Sequence, residues 1–196
     1  MKIVGVTGGS GAGKTVATKA LASFGAEILD ADILAREVVM PGMPALCEIE
    51  KEWDGVVENG VLDRRALAKI VFNDENELHK LNAITHKYII DEINKRIKNS
   101  DAPIVVIDAI ALFESGLFNM CDITICVIAD KEKRLERIMK RDNLTRLAAE
   151  ERINAQKSDS FYIENADFTI YNNGNLAATE EEIGRIIKGS LLEKDS

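Results

Sequence analysis

The sequence predicts an α/β fold, a parallel sheet with helices on both faces, and three observations predict it. Short apolar runs bounded by turn residues recur at Lys2–Thr7, Ala26–Leu29, Ile104–Ile107, Asp122–Ile128 and Ala166–Ile170. The segments between them carry helical rather than alternating period, so strands and helices follow one another and the strands pair in parallel through crossovers. A glycine-rich turn, Gly8–Gly13, follows the first run directly.

The first run reads as a strand and the residues after the turn (Val16, Ala17, Ala20, Leu21) as a helix. The second strand ends at Asp30-Ala31-Asp32. From there to Asp101 the chain is too long for one crossover and reads as several helices with no strand. Pro41-Gly42-Met43-Pro44 punctuates its start, and Leu78, Leu81, Ile84, Tyr88, Ile89, Ile93 and Ile97 mark a long amphipathic helix. Between Lys131 and Phe161 the pattern gives two helices parted near Asp142-Asn143-Leu144-Thr145, with Thr145 as a candidate N-cap. At about 100° per residue, Arg134, Arg137 and Arg141 form one stripe beside Leu135, Ile138 and Met139. Such a stripe suits a mobile lid over phosphates, or else a solvated basic face. The expected division is a core of residues 1–31, 102–130 and 162–196, a helical insertion at 32–101 and a lid at 131–161.

Composition narrows the function classes. With 196 residues, 46% hydrophobic and 30% charged, the chain has the make-up of one soluble domain with a core of ordinary size. Its apolar runs fall short of the ~18 residues of a membrane span, and the opening residues are too soon broken by glycine to be a signal peptide. The net charge of −8 argues against broad binding to nucleic acid or anionic membrane, so an anionic substrate must meet locally clustered Lys and Arg. Cys47, Cys121 and Cys126 form no CxxC pair; a reduced, cytoplasmic compartment and three core cysteines are expected. Nothing in the sequence calls for an obligate protein partner.

The chemistry begins at Gly8-Gly9-Ser10-Gly11-Ala12-Gly13-Lys14-Thr15, which fits GxxxxGK[ST] between a strand and a helix. In such a P-loop the glycines let backbone N–H groups close on phosphate oxygens. Lys14 would bridge the β and γ phosphates of ATP, the Thr15 hydroxyl would bind Mg²⁺, and the helix opening through Val16 favours the anion. The fold class is therefore a P-loop NTPase core carrying a helical insertion and a helical lid.

The motif does not say what receives the phosphate. Asp30 and Asp32 follow the second strand, where parallel sheets gather functional groups, so one could take a proton from an attacking hydroxyl, or either could cap the next helix. Asp108, after the third strand, is a candidate for holding Mg²⁺ or a plain strand-end residue. The chain has no Asn-Lys-x-Asp and no Asp-x-x-Gly switch segment, since Asn94-Lys95 continues as Arg96-Ile97. That argues against a regulatory GTPase. A non-catalytic nucleotide-binding module and a kinase for another small acceptor, a nucleoside monophosphate or a sugar acid, are the rival classes.

Taken together, the residues resemble the dephospho-coenzyme A kinases. The resemblance runs from the first strand to about Asn175. It comprises the P-loop with Val6-Thr7, then Asp30-Ala31-Asp32 leading into Ala35–Val39, Asp63-Arg64-Arg65-Ala66-Leu67 with Val71-Phe72, and Leu81–Ile84 ahead of His86. Leu112-Phe113-Glu114, Arg141-Asp142, Thr145-Arg146, Arg152, Gln156, Ala166-Asp167-Phe168 and Asn172-Asn173-Gly174 complete it. The resemblance implies that ATP phosphorylates the ribose 3′-hydroxyl of dephospho-coenzyme A. It implies Asp32 as the base, Lys14 and Arg141 as stabilisers of the transferring phosphoryl group, and Asn172-Asn173-Gly174 beside the adenine of ATP. It also implies acceptor contacts at Asp32, Arg64, His86, Leu112 and Glu114. The chain departs from the family pattern at His86-Lys87, where a His-Pro pair is common, and at Ile110-Ala111, where the family has Pro-Leu. His79 reads as a surface residue of the long helix.

Overall fold

The computed structural model describes residues 1–174 and 176–192. Residue 175 and residues 193–196, which close the expected core segment, lie outside the described residues. Five strands form one sheet: β1 (Lys2–Thr7), β2 (Ala26–Asp30), β5 (Ile104–Asp108), β6 (Ile123–Ile128) and β7 (Phe168–Tyr171), in the order β2-β5-β1-β6-β7. β1 pairs in parallel with β5 and β6, and β6 with β7. The register sets Val6 opposite Asp108 and Thr7 opposite Cys126, so the loops after these strands open at one end of the sheet. β1 is central because it is buried on both faces, Val4 and Val6 on one and Gly5 and Thr7 on the other.

Helices cover the sheet. α1 (Lys14–Ser23) and α9 (Leu176–Ile187) pack on each other and set Ala17, Leu21, Ile183 and Ile187 against Val4, Ile104, Ile125 and Ile170. Each such buried aliphatic side chain contributes about 1.5–3 kcal/mol. On the other face α8 (Asp159–Asn165) sets Tyr162 against Cys126 and Ile128. α6 (Lys131–Asp142) and α7 (Arg146–Asn154) share a small cluster of Leu135, Ile138 and Ala149. The turn between them follows its expected chemistry: Asn143 takes a left-handed φ of 52°, and Thr145 caps α7 by accepting from Ala148 N–H at 3.3 Å. The interval from Lys131 to Phe161 holds the start of a third helix as well, since α8 is capped by Ser158.

Residues Asp30–Asn99 form a compact unit of their own, the rest of the chain another. The first contains α2 (Ala31–Glu37), α3 (Pro44–Glu52), α4 (Arg64–Val71) and the long α5 (Glu75–Lys98). α5 opens with Glu75 and Glu77 and closes with Lys95, Arg96 and Lys98, signs that match the helix dipole at each end. Trp53 is buried and donates its indole N–H to Glu77 at 2.7 Å. Two features differ from expectation. A short hairpin, β3 (Val57–Glu58) with β4 (Val61–Leu62), turns on Asn59 and Gly60, both at positive φ, as a two-residue hairpin requires. Cys47 is not a core residue: α3 buries Ala45, Leu46 and Ile49, and position 47 falls on the exposed side.

Candidate active site

β1 ends at Thr7, whose hydroxyl donates to the Ile110 carbonyl at 3.1 Å, tying it to the loop after β5. The chain then turns through Gly8–Gly13 and enters α1 at Lys14, with Thr15 and Val16 on its first turn. The Val16 N–H donates to Gly13 O at 2.9 Å, so the turn and the helix are one continuous structure. Lys14 Nζ lies 3.3 Å from Gly8 O, folded back along the loop. Asn172, in the loop after β7, is 4% exposed and donates its side-chain N–H to Ala12 O at 3.0 Å. Asn173 exchanges two hydrogen bonds with Asp130 at 2.9 Å, and Lys133 reaches its carbonyl. The predicted nucleotide residues of the two loops are thus brought together.

The arginine stripe of α6 divides by depth. Arg134 is 4% exposed: Nε donates to Ser10 O at 2.9 Å and Nη1 to Asp159 Oδ1 at 2.8 Å. Arg137 donates to Gly11 O and Ala12 O at 3.1 Å and to Asn172 O at 3.0 Å. Both are therefore fastened to backbone carbonyls, Arg134 buried and Arg137 half-buried. Arg141, one turn on, has 62% of its side chain exposed and forks both oxygens of Asp142 at 2.8 Å. Arg141 foremost, with Arg152 beside it, holds the Asp142 carboxyl down at about 2.

Next to these groups is a cavity of about 360 Å³ lined by Ile110, Glu114, Ala155, Gln156, Lys157 and Tyr162. The Tyr162 hydroxyl is buried with no hydrogen-bond partner; burial, then the nearby Glu114 carboxylate, pushes its pKa up to about 12. Leu112 is wholly buried, its Cδ2 2.7 Å from where a Cβ on Gly5 would stand, so it packs on β1 and does not line the cavity.

Within the Asp30–Asn99 unit, the two aspartates separate. Asp30 Oδ1 accepts from Ile33 N–H at 3.0 Å and is the cap of α2. Asp32, exposed on the first turn, is not the cap. Arg64, the first residue of α4, lines a mostly apolar cavity of about 170 Å³ with Val39, Leu67, Val71, Phe72 and Leu81. His86 is half-buried on α5, and burial keeps its imidazole below the ordinary histidine range, so it is neutral at pH 7.

The sequence pattern of the dephospho-CoA kinase family matches residues 2–178. This chain belongs to that family. It is similar to the dephospho-CoA kinase of Moorella thermoacetica, 41% identical over 93% of this chain and 89% of that one. Among solved structures it resembles TT1252 of Thermus thermophilus, 30% identical with a TM-score of 0.83, covering 95% of this chain and 96% of that one. It also resembles a dephospho-CoA kinase of Campylobacter jejuni, 26% identical with a TM-score of 0.65 and 95% of both chains covered. The chain is therefore a P-loop kinase, with ATP as its phosphoryl donor. As a member of the dephospho-CoA kinases it shows residues that pattern reading missed: the loop-side partners of Arg134 and Arg137, and Lys157 and Tyr162 in the cavity. The i, i+3 spacing of the two arginines signalled a shared face, but not what meets it.

Proposed function

We propose that this chain transfers the γ-phosphoryl group of ATP to the ribose 3′-hydroxyl of dephospho-CoA, giving ADP and CoA in the cytoplasm. The observation that carries this is the family match over residues 2–178, joined to an intact P-loop at the end of the central strand. Asp32 takes the hydroxyl proton. What supports this is the place of Asp32 on the exposed first turn of α2, directly after β2, where a parallel sheet gathers its functional groups. Lys14 and the N–H groups of Gly8–Val16 hold the phosphates, and Asn172-Asn173-Gly174 borders the adenine.

The catalytic contribution is alignment and charge neutralisation, because the transferring group passes through a loose, highly anionic state. A Mg²⁺ ion fits the donor set available: the Thr15 hydroxyl and the Asp108 carboxylate, hard oxygens that leave room for phosphate and water. It would neutralise charge on the β and γ phosphates. The unit of residues 30–99 takes the acceptor, with Arg64 and His86 at its contacts. The cavity with Glu114 supplies further polar groups. Within residues 131–161, the part beyond Arg137 acts as the lid that excludes water, without which ATP would simply hydrolyse.

Arg141 stabilises the transferring group by leaving Asp142, which keeps Arg152 as its partner when Arg141 departs. A planar guanidinium can grip two phosphate oxygens and an ammonium cannot. Arg141→Lys is therefore expected to lower kcat by about tenfold or more, with a smaller change in the KM for dephospho-CoA. Equal kcat for the two enzymes would return Arg141 to the solvated surface.

The function itself is tested by a coupled ADP-release assay with dephospho-CoA, a nucleoside monophosphate and a sugar acid side by side. Turnover should be confined to dephospho-CoA. Faster turnover of another acceptor, or nucleotide binding with no turnover, would overturn the proposal. Trp53 serves the same experiment, since dephospho-CoA alone should change its emission more than an ATP analogue alone.

A further inference from the structure

The loop from Gly8 to Gly13 has six consecutive carbonyl oxygens, and each accepts a hydrogen bond. Two of the donors are local backbone N–H groups: Ala12 to Gly9 O at 3.1 Å and Val16 to Gly13 O at 2.9 Å. Lys14 serves Gly8. The other three carbonyls, of Ser10, Gly11 and Ala12, are served from far along the chain by Arg134, Arg137 and Asn172. Gln156 completes the fastening. It accepts from Ser10 N–H at 2.8 Å and donates to the Ser10 hydroxyl at 3.0 Å.

A trans peptide is planar, so its carbonyl and its N–H point in opposite directions. No cis peptide is present among the described residues. Holding the Ser10 and Ala12 carbonyls against α6 therefore turns the Gly11 and Gly13 N–H groups to the opposite side of the loop. That side is where an anion cradle needs them. The contact is close as well as bonded. A Cβ on Gly11 would stand 2.6 Å from the Arg134 carbonyl oxygen, and one on Gly9 would collide with the Arg134 guanidinium.

We infer that Arg134 and Arg137 are positioning residues of the phosphate site: they act on the nucleotide through the loop's carbonyls, without touching a phosphate. This rests on Gly8–Thr15 being the phosphate-binding loop. It departs from the role a lid would give these arginines, because the Arg137 guanidinium and the Nε and Nη1 groups of Arg134 are spent on carbonyls and on Asp159, while Arg134 Nη2 is buried beside Gly9 without a partner. Arg137 carries the larger share, since one side chain serves three carbonyls.

The experiment compares Arg137→Met and Arg137→Lys with the wild type, measuring calorimetric affinity for ADP and for adenosine, with thermal unfolding of each ligand-free protein. The expected result for Arg137→Met is a loss of ADP affinity of about tenfold or more, with a smaller loss for adenosine, since Arg137 also holds the Asn172 carbonyl. Arg137→Lys should fall between, because a single ammonium cannot reproduce a fork over three acceptors. The ³¹P resonance of the bound β-phosphate should also move towards its free position in the variants, a change that general loosening of the fold does not produce. Unchanged ADP affinity, or equal losses for ADP and adenosine, would overturn the inference. Should Arg137→Met fail to fold, an Arg137→Lys enzyme with wild-type ADP affinity would overturn it equally. Failure of the wild-type chain to bind ADP at all would show a different fault, in the phosphate-loop reading itself.

Discussion

Asp32→Asn is expected to lower kcat by ~10²–10⁴ while leaving ATP affinity close to wild type. The amide keeps the size and most of the hydrogen-bonding geometry of the carboxylate but cannot take up a proton at neutral pH. The substitution is cleaner here than at many helix starts, because the capping interaction of α2 belongs to Asp30, whose carboxylate accepts from Ile33 N–H. The helix cap should therefore survive the substitution, and Tm measured beside kcat tells whether a fall in turnover belongs to chemistry. A measurement of kcat, of ATP affinity and of Tm on the same preparation separates the possibilities. Near-wild-type turnover would remove Asp32 from the mechanism and direct attention to Asp108. A fall in Tm matching that of Asp30→Ala would mean the residue is structural.

Gly8→Ala should be the most damaging Gly→Ala change among the described residues. Gly8 has φ +137°, a conformation that a residue with a Cβ rarely adopts, and that Cβ would fall on the carbonyl of Val127 in β6. The obstacle is backbone in the middle of the sheet, so no side-chain rotation relieves it. Backbone strain of about 1–3 kcal/mol and overpacking of about 1–3 kcal/mol together compare with the roughly 5–15 kcal/mol that holds a domain folded. Tm is expected to drop by roughly 5–20 °C. Gly42→Ala is the matched control, since Gly42 also has positive φ, +83°, but has nothing within 4 Å of its would-be Cβ. It should show the backbone cost alone, so equal losses at the two sites would refute the steric account.

Much of this architecture could be read from the chain because its strands are fully buried. An apolar run such as Ile104–Ile107, closed by turn residues, has few other places to go than the middle of a sheet. α5 was legible from its period, and the turn at Asn143 and Thr145 from local chemistry alone. The hairpin at Asn59-Gly60 escaped because strands of two residues are too short to alternate, although the Asn-Gly pair was itself a hairpin signal. α8 escaped because seven residues with one buried side chain, Tyr162, carry almost no periodicity. Cys47 was misplaced because cysteine is usually buried, whereas the face of α3 was set by Leu46 and Ile49. The site was legible where its groups are contiguous, as in Gly8–Thr15. It was illegible where they are joined over distance: the Arg134 and Arg137 contacts cross 124 to 126 residues, and their acceptors are carbonyls, which every residue has.

The six occupied carbonyls of the loop also bear on when its disorder is lost. Fixing the backbone of one residue costs roughly 1–2 kcal/mol of conformational entropy. A loop left slack in the empty protein would charge that cost to each arriving nucleotide. Here Gly8–Gly13, with four glycines among the most conformationally free of residues, is bonded at every carbonyl before any ligand arrives. The ordering is thus completed in folding, when the sheet and α6 come together. Nucleotide capture then begins from a cradle that is already still.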